Sequence, residues 1–129
     1  MGEVNLLMVE DDAAIAHMYR LKLVDEGFRV RVATDGPSGL AAALRRPPDM
    51  LLLDIRLPGF DGFELLTRLR RAPAGAAVPV IVLSSDSEQD VARQGQGLGV
   101  ALHLVKSETT PSILVSAIRR HLADATPPA

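Results

Sequence analysis

A chain of 129 residues has room for one ordinary domain and its core, but not for that core plus a separate output module. Its 47% apolar and 23% charged residues are those of a soluble globular protein rather than a disordered one, and three Phe, one Tyr and no Trp leave the core aliphatic. A formal charge of −2 without a basic block removes the long-range attraction that drives binding to nucleic acid or anionic membranes, and the absence of Cys excludes disulfides and thiolate metal sites.

The first twelve residues, MGEVNLLMVEDD, have no basic stretch before a long apolar run, so they are not a signal peptide. Leu6 stands where a myristoylation signal needs Ser or Thr. No run approaches the roughly 18 apolar residues of a membrane span, and a cytoplasmic protein with no membrane partner is expected.

Residues 4–9 form a short apolar run that predicts a strand, followed by a helix over 13–26 whose apolar positions Ile15, Met18, Tyr19 and Leu23 recur at helical spacing until Gly27 stops it. A second strand is expected over 28–33. Asp35-Gly36-Pro37 then opens a helix that runs to Arg45 or Arg46 and is ended by Pro47-Pro48. Residues 50–54 are a continuous apolar strand closed by an acid. A third helix starts at Gly62 or Phe63, covers Leu65, Leu66 and Leu69, and gives way to the loop of Pro73 and Gly75.

The fourth strand is expected over 78–84, with Pro79 tolerated near its start, and the fourth helix over 88–98, with Gly95 and Gly97 in its last turns. A fifth strand over 101–105 leads to a helix over 111–122. On that helix Leu114, Val115, Ile118 and Leu122 share the core face, and Ile113 and Ala117 are left toward solvent. The domain is expected to span 1–124, with 125–129 as a flexible tail. Five strands alternating with five helices imply a doubly wound α/β sandwich: a five-stranded parallel sheet covered on both faces, with right-handed crossovers. Ligands of such a sheet sit beyond the carboxyl ends of the strands.

Glu10, Asp11 and Asp12 fall just past the first strand and Asp54 just past the third. In the flavodoxin-like order 2-1-3-4-5 these two strands are neighbours at the switch point. Converging carboxylates repel one another and raise at least one pKa unless a cation shares the site. Oxygen-only ligands suit a hard ion, and Mg2+ is the natural one, since it binds through one or two carboxylates while keeping waters and accepting phosphate oxygens. Asp12 reads equally well as a cap on the following helix. A nucleotide site would need a glycine-rich turn after the first strand, and VEDDAA has none.

Four separated motifs together resemble the receiver domains of two-component response regulators, along essentially the whole chain. They are LLMVEDD with Glu10 and Asp11, MLLLDIRLPGFDG with Asp54, PVIVLSS with Ser84, and LHLVKS with His103 and Lys106. Alone, Ser84 reads as part of a helix cap, Lys106 as a solvated strand-end charge and His103 as an amphipathic surface residue. The resemblance implies that Asp54 is the phosphoacceptor and that Asp11, Asp54 and the backbone carbonyl of Arg56 hold Mg2+, with Glu10 acting through a bound water. Lys106 and Ser84 would bind phosphate oxygens, and His103 would occupy the mobile aromatic switch position.

The implied protein is a stand-alone, chemotaxis-type single-domain regulator. Its donor is a sensor histidine kinase or phosphotransfer protein, and its output is protein binding through the face of the fourth helix, fifth strand and fifth helix. Nucleic acid is not a direct partner. It is not a dedicated enzyme, but would catalyse its own phosphorylation and slow autodephosphorylation. A phosphorelay intermediate and a pseudo-receiver that is never phosphorylated are the alternatives. A phosphohydrolase is disfavoured because Asp54-Ile55-Arg56 lacks a second acid, and arginine cannot act as a general acid or base.

Three positions depart from the family pattern: His103 replaces Tyr or Phe, Ser107 replaces the proline after the lysine, and Arg56 fills the variable position after the phosphoacceptor. Without the proline, the Lys106-Ser107 peptide is expected to be trans, since a non-proline cis bond costs about 2.5 to 4 kcal/mol. Arg56 and Asp86 stand on loops at the same edge of the site and are expected to form an ion pair that gates water access.

Overall fold

The computed structural model describes residues 3–125. Its five strands are β1 Asn5–Val9, β2 Arg29–Ala33, β3 Met50–Leu53, β4 Val80–Ser84 and β5 Val100–Val105, and its helices are α1 Ala13–Asp25, α2 Gly36–Arg45, α3 Gly62–Arg71, α4 Glu88–Gln94 and α5 Pro111–Ala125. The strands form one parallel sheet in the order β2-β1-β3-β4-β5, as expected for a doubly wound α/β sandwich. Residues 126–129 of the expected tail lie outside the described residues.

Alternation along the strands divides the interior into two cores. Leu7, Val9, Leu51, Leu53, Val80 and Val82 face one side, where they meet Leu65, Leu66 and Leu69 of α3. Leu6, Met8, Met50, Leu52, Ile81 and Leu83 face the other, against Tyr19 and Leu23 of α1 and Leu114, Val115 and Ile118 of α5. The central strands are therefore apolar throughout except for Asn5 at the start of β1 and Ser84 at the end of β4, and each fully buried leucine contributes about 1.5–3 kcal/mol.

The helices begin on side-chain caps. Asp12 accepts from the Ala14 and Ile15 N–H groups, which gives it the cap role rather than a place among the ligands, and Asp35, Asp61 and Ser87 cap α2, α3 and α4. Met18 departs from its expected core position. It is 45% exposed, because Ala16, Tyr19 and Leu23 form the buried stripe of α1.

The fourth helix is also shorter than the pattern predicts. It ends at Gln94, Gly95 is its C-cap, and Gly97 and Gly99 have φ of 80° and 71°. The glycines thus form the exit from the helix instead of lying within it, since φ in this region suits a residue without Cβ. Arg70 holds this exit: its guanidinium donates to the carbonyls of Leu98 and Gly99 at 2.8 and 3.1 Å and to those of Gly75 and Val78 at 3.1 and 2.7 Å.

At the β5 edge, an open groove of about 440 Å³ lies between α4 and β5, and another of about 430 Å³ lies between β5 and α5. Ile113 lines the second and is 45% exposed, while Ala117, expected to face solvent, is half-buried at the groove floor. Leu122 packs partly against the core of α1 and α5. The Lys106-Ser107 peptide is trans.

Candidate functional site

Register brings the acids together. Val9 pairs with Leu53, and the Asp54 N–H donates to the Val9 carbonyl at 3.0 Å, so Glu10 and Asp54 leave adjacent strands side by side. The start of α3 closes in behind them: a Cβ on Gly62 would stand 2.4 Å from the Asp54 carbonyl oxygen, so only glycine permits this approach. Carboxylate oxygens of Glu10, Asp11 and Asp54 lie within 4.8 Å of one another. Glu10 and Asp54 are buried, at 3% and 6% exposure, while Asp11 is exposed.

Lys106 reaches into this cluster from the end of β5. Its ammonium lies 2.6 Å from Glu10 Oε1 and 3.0 Å from Asp54 Oδ2, and the Asp12 N–H donates to Glu10 Oε2 at 3.1 Å. Burial pushes the Glu10 carboxyl above its ordinary value, more than the hydrogen bonds from Lys106 and Asp12 pull it down. Burial alone would lower Lys106, yet its bonds to Glu10 and Asp54 leave it above its ordinary value, so the ammonium stays charged. One cation thus bridges two of three carboxylates. Three carboxylates face one ammonium and the donors are all oxygen, so the residues present fit a hard divalent ion such as Mg2+.

Ser84 pairs in register with Val105, the residue before Lys106, and is 1% exposed. Its Oγ accepts from the Asp86 N–H at 3.2 Å and lies 3.3 Å from His103 Nε2. Arg56 donates through Nε and Nη2 to Asp86 Oδ1 at 3.0 and 2.8 Å, which ties the loop after β3 to the loop after β4. Two further residues escaped sequence reasoning. Tyr19 reaches the backbone of Thr109 beneath the site, and Arg70 holds the exit of α4. Tyr19 was legible as core, and a tyrosine there signals a hydroxyl that needs a partner.

Carboxylates buried beside a lysine, at the carboxyl ends of adjacent central strands of a doubly wound sheet, define a phosphoacceptor switch of the two-component class. The chain belongs to the response regulator receiver domain family, whose description matches residues 6–119. It is 39% identical over 127 residues to the KDP operon transcriptional regulatory protein KdpE of Escherichia coli K12, covering 95% of this chain and 55% of that protein. The chain thus spans about half the length of curated relatives such as this one.

Among solved structures, a putative response regulator from Chloroflexus aurantiacus J-10-fl is 32% identical with a TM-score of 0.86, over 95% of this chain and 99% of that one. The receiver domain of a sensor histidine kinase from Pseudomonas aeruginosa PAO1, solved with a magnesium ion coordinated in its active site cleft, is 26% identical with a TM-score of 0.85, over 95% and 99%. Receiver domains take phosphoryl groups from histidine kinases or phosphotransfer proteins and bind Mg2+ at their acidic site. Among the described residues no helix is long and apolar enough to cross a membrane.

Proposed function

We propose that this chain is a phosphorylation switch whose acceptor is Asp54. The observation that carries the reading is the Lys106 ammonium held 3.0 Å from Asp54 Oδ2 inside a three-carboxylate cluster. An Asp54 oxygen attacks phosphorus of a phosphohistidine, the P–N bond breaks, and the electron pair leaves with the imidazole. The product is an acyl phosphate on Asp54. Such transfer asks mainly for positioning and charge neutralisation. Asp11, Asp54 and the Arg56 carbonyl would hold Mg2+, with Glu10 acting through a water; the ion supplies charge neutralisation at the nonbridging oxygens. Lys106 turns from Asp54 to one phosphate oxygen, and the Ser84 hydroxyl donates to another.

The readout follows from the same contacts. Phosphorylation adds roughly 1.5–2 negative charges at pH 7, and drawing Ser84 toward them loosens its contact with His103, freeing the ring to move inward. The surface of α4, β5 and α5, with Ile113 on it, is then the partner face. The Arg56–Asp86 ion pair joins the loops after β3 and β4, and in this reading it would gate water access to the acyl phosphate. Incubation with Mg2+ and a small phosphodonor should add one phosphoryl mass to the wild type and none to Asp54→Ala; a gain that persists in that variant assigns the acceptor elsewhere.

A further inference from the structure

Lys106 is held by its side chain against Glu10 and Asp54, but the backbone that carries it is a short exposed turn. Ser107 and Glu108 are exposed, and residues Lys106–Glu108 form a single 3-10 turn between β5 and α5. The turn is fastened at Thr109. The Thr109 N–H donates to the Lys106 carbonyl at 3.3 Å and the Thr109 hydroxyl to the Val105 carbonyl at 2.8 Å, which closes the turn on itself. Apart from the ion pairs of the Lys106 side chain, the backbone of the turn is tied to α1 by Tyr19, whose hydroxyl donates to the Thr109 carbonyl at 3.0 Å across 90 residues of sequence.

Tyr19 is well placed to set the lysine against the acids. It is 2% exposed and lies on α1, the helix entered directly from Asp11 and Asp12, so it links the acidic loop to the lysine loop from below. With Met8, Leu52 and Leu83 it lines a void of about 10 Å³ that Glu10 and Asp54 also line, so Tyr19 borders the same small space as both acids. Burial raises the phenol above its ordinary value, which keeps it a hydrogen-bond donor.

We propose that Tyr19 is a positioning residue for the phosphoryl transfer: by holding the Thr109 carbonyl it fixes the turn that aims Lys106 at Asp54. This rests on the reading of Asp54 as phosphoacceptor and Lys106 as phosphate partner. Loss of the hydroxyl in Tyr19→Phe keeps the ring and the core but frees the turn.

The experiment combines Mg2+ titration, the initial rate of Asp54 phosphorylation by a small phosphodonor, and the ammonium resonances of the two lysines, Lys22 and Lys106. Tyr19→Phe should slow phosphorylation about fivefold, the scale of one buried hydrogen bond, with Mg2+ affinity unchanged. In a Lys106→Ala background it should cost nothing further, because both changes act through the same group. In the unmodified protein the Lys106 resonance should move toward that of the more exposed Lys22. Equal losses with and without Lys106, or a parallel fall in Mg2+ affinity, overturn the proposal and leave Tyr19 a packing residue. A wild type that takes no phosphoryl group overturns the phosphoacceptor reading instead; the Lys106 resonance then decides the positioning claim alone, and an unmoved resonance sinks it.

Discussion

The end of β1 and β3 and the edge of β5 are secured by different means. At the first, every residue of β3 is buried, the register with β1 is unbroken, and Glu10 and Asp54 are pinned by Lys106. At the second, β5 is half-exposed along most of its length, its pairing with β4 shifts between Val80 and Ile81, α4 has 7 residues, and Ser84 and His103 meet at 3.3 Å. Chemistry that tolerates little misplacement occupies the best-packed strands, and the surface that must move occupies the worst-packed ones.

The widest separation should come from Lys106→Ala. Removing a group aimed at developing charge should slow phosphorylation of Asp54 about 100-fold, while Mg2+ titration shows binding not weakened, since the three carboxylates remain. Normal phosphorylation in this variant would dissolve the contrast, because the lysine would then be no part of the pinned site. Hydrogen exchange sharpens the other side. Amides of residues 88–100 should exchange at least about tenfold faster than those of α1, and slow when fluoroberyllate and Mg2+ bind; equal protection at the outset would remove the soft edge.

Acidity probes the pinned end more gently. Because the native state raises Glu10 above 4.5, it takes up that proton more readily than the unfolded chain does. The stability linked to this group is therefore fully present below about 4.5 and is lost as pH rises through the raised native value. Mg2+ should offset that loss at neutral pH, and the thermal stabilisation it gives should shrink as pH falls toward the Glu10 value. Glu10→Gln should flatten this pH dependence, as melting curves with and without Mg2+ will show. The smallest effect is expected at the exposed Arg56–Asp86 pair, where either single substitution should change the autodephosphorylation rate by about two- to threefold and the double no more. Rates unchanged in all three variants would refute the gate.

The fold was legible because β3 is apolar at every position, β1 and β4 are apolar apart from Asn5 and Ser84 at their ends, and each helix is punctuated, and the acids were legible because a strand end fixes where the next side chain stands. Three features were not. The extent of α4 failed because glycines at 95, 97 and 99 read as weak helix positions, when φ of 80° and 71° at the last two makes them the exit. Met18 stands three residues from Ile15, but the buried stripe of α1 runs through Ala16, Tyr19 and Leu23 and leaves Met18 45% exposed. The contact from Tyr19 to Thr109 joins a side chain to a backbone carbonyl 90 residues away, and no local periodicity carries that information.

The bonds from Arg70 to the loops before β4 and β5 end on carbonyl oxygens, which every amino acid supplies. The hydrogen bonds of this clasp therefore place no demand of their own on the side chains of the acceptor residues, although Gly75, Val78, Leu98 and Gly99 are held by packing or by backbone conformation. In a saturation mutagenesis library read out by folding, Arg70 should be intolerant even of lysine, which lacks the planar fork of donors, while the exposed acceptor Ala76 accepts broad substitution. Methods that infer contacts from paired sequence changes would see nothing there, although the clasp fixes where the mobile edge of the domain begins.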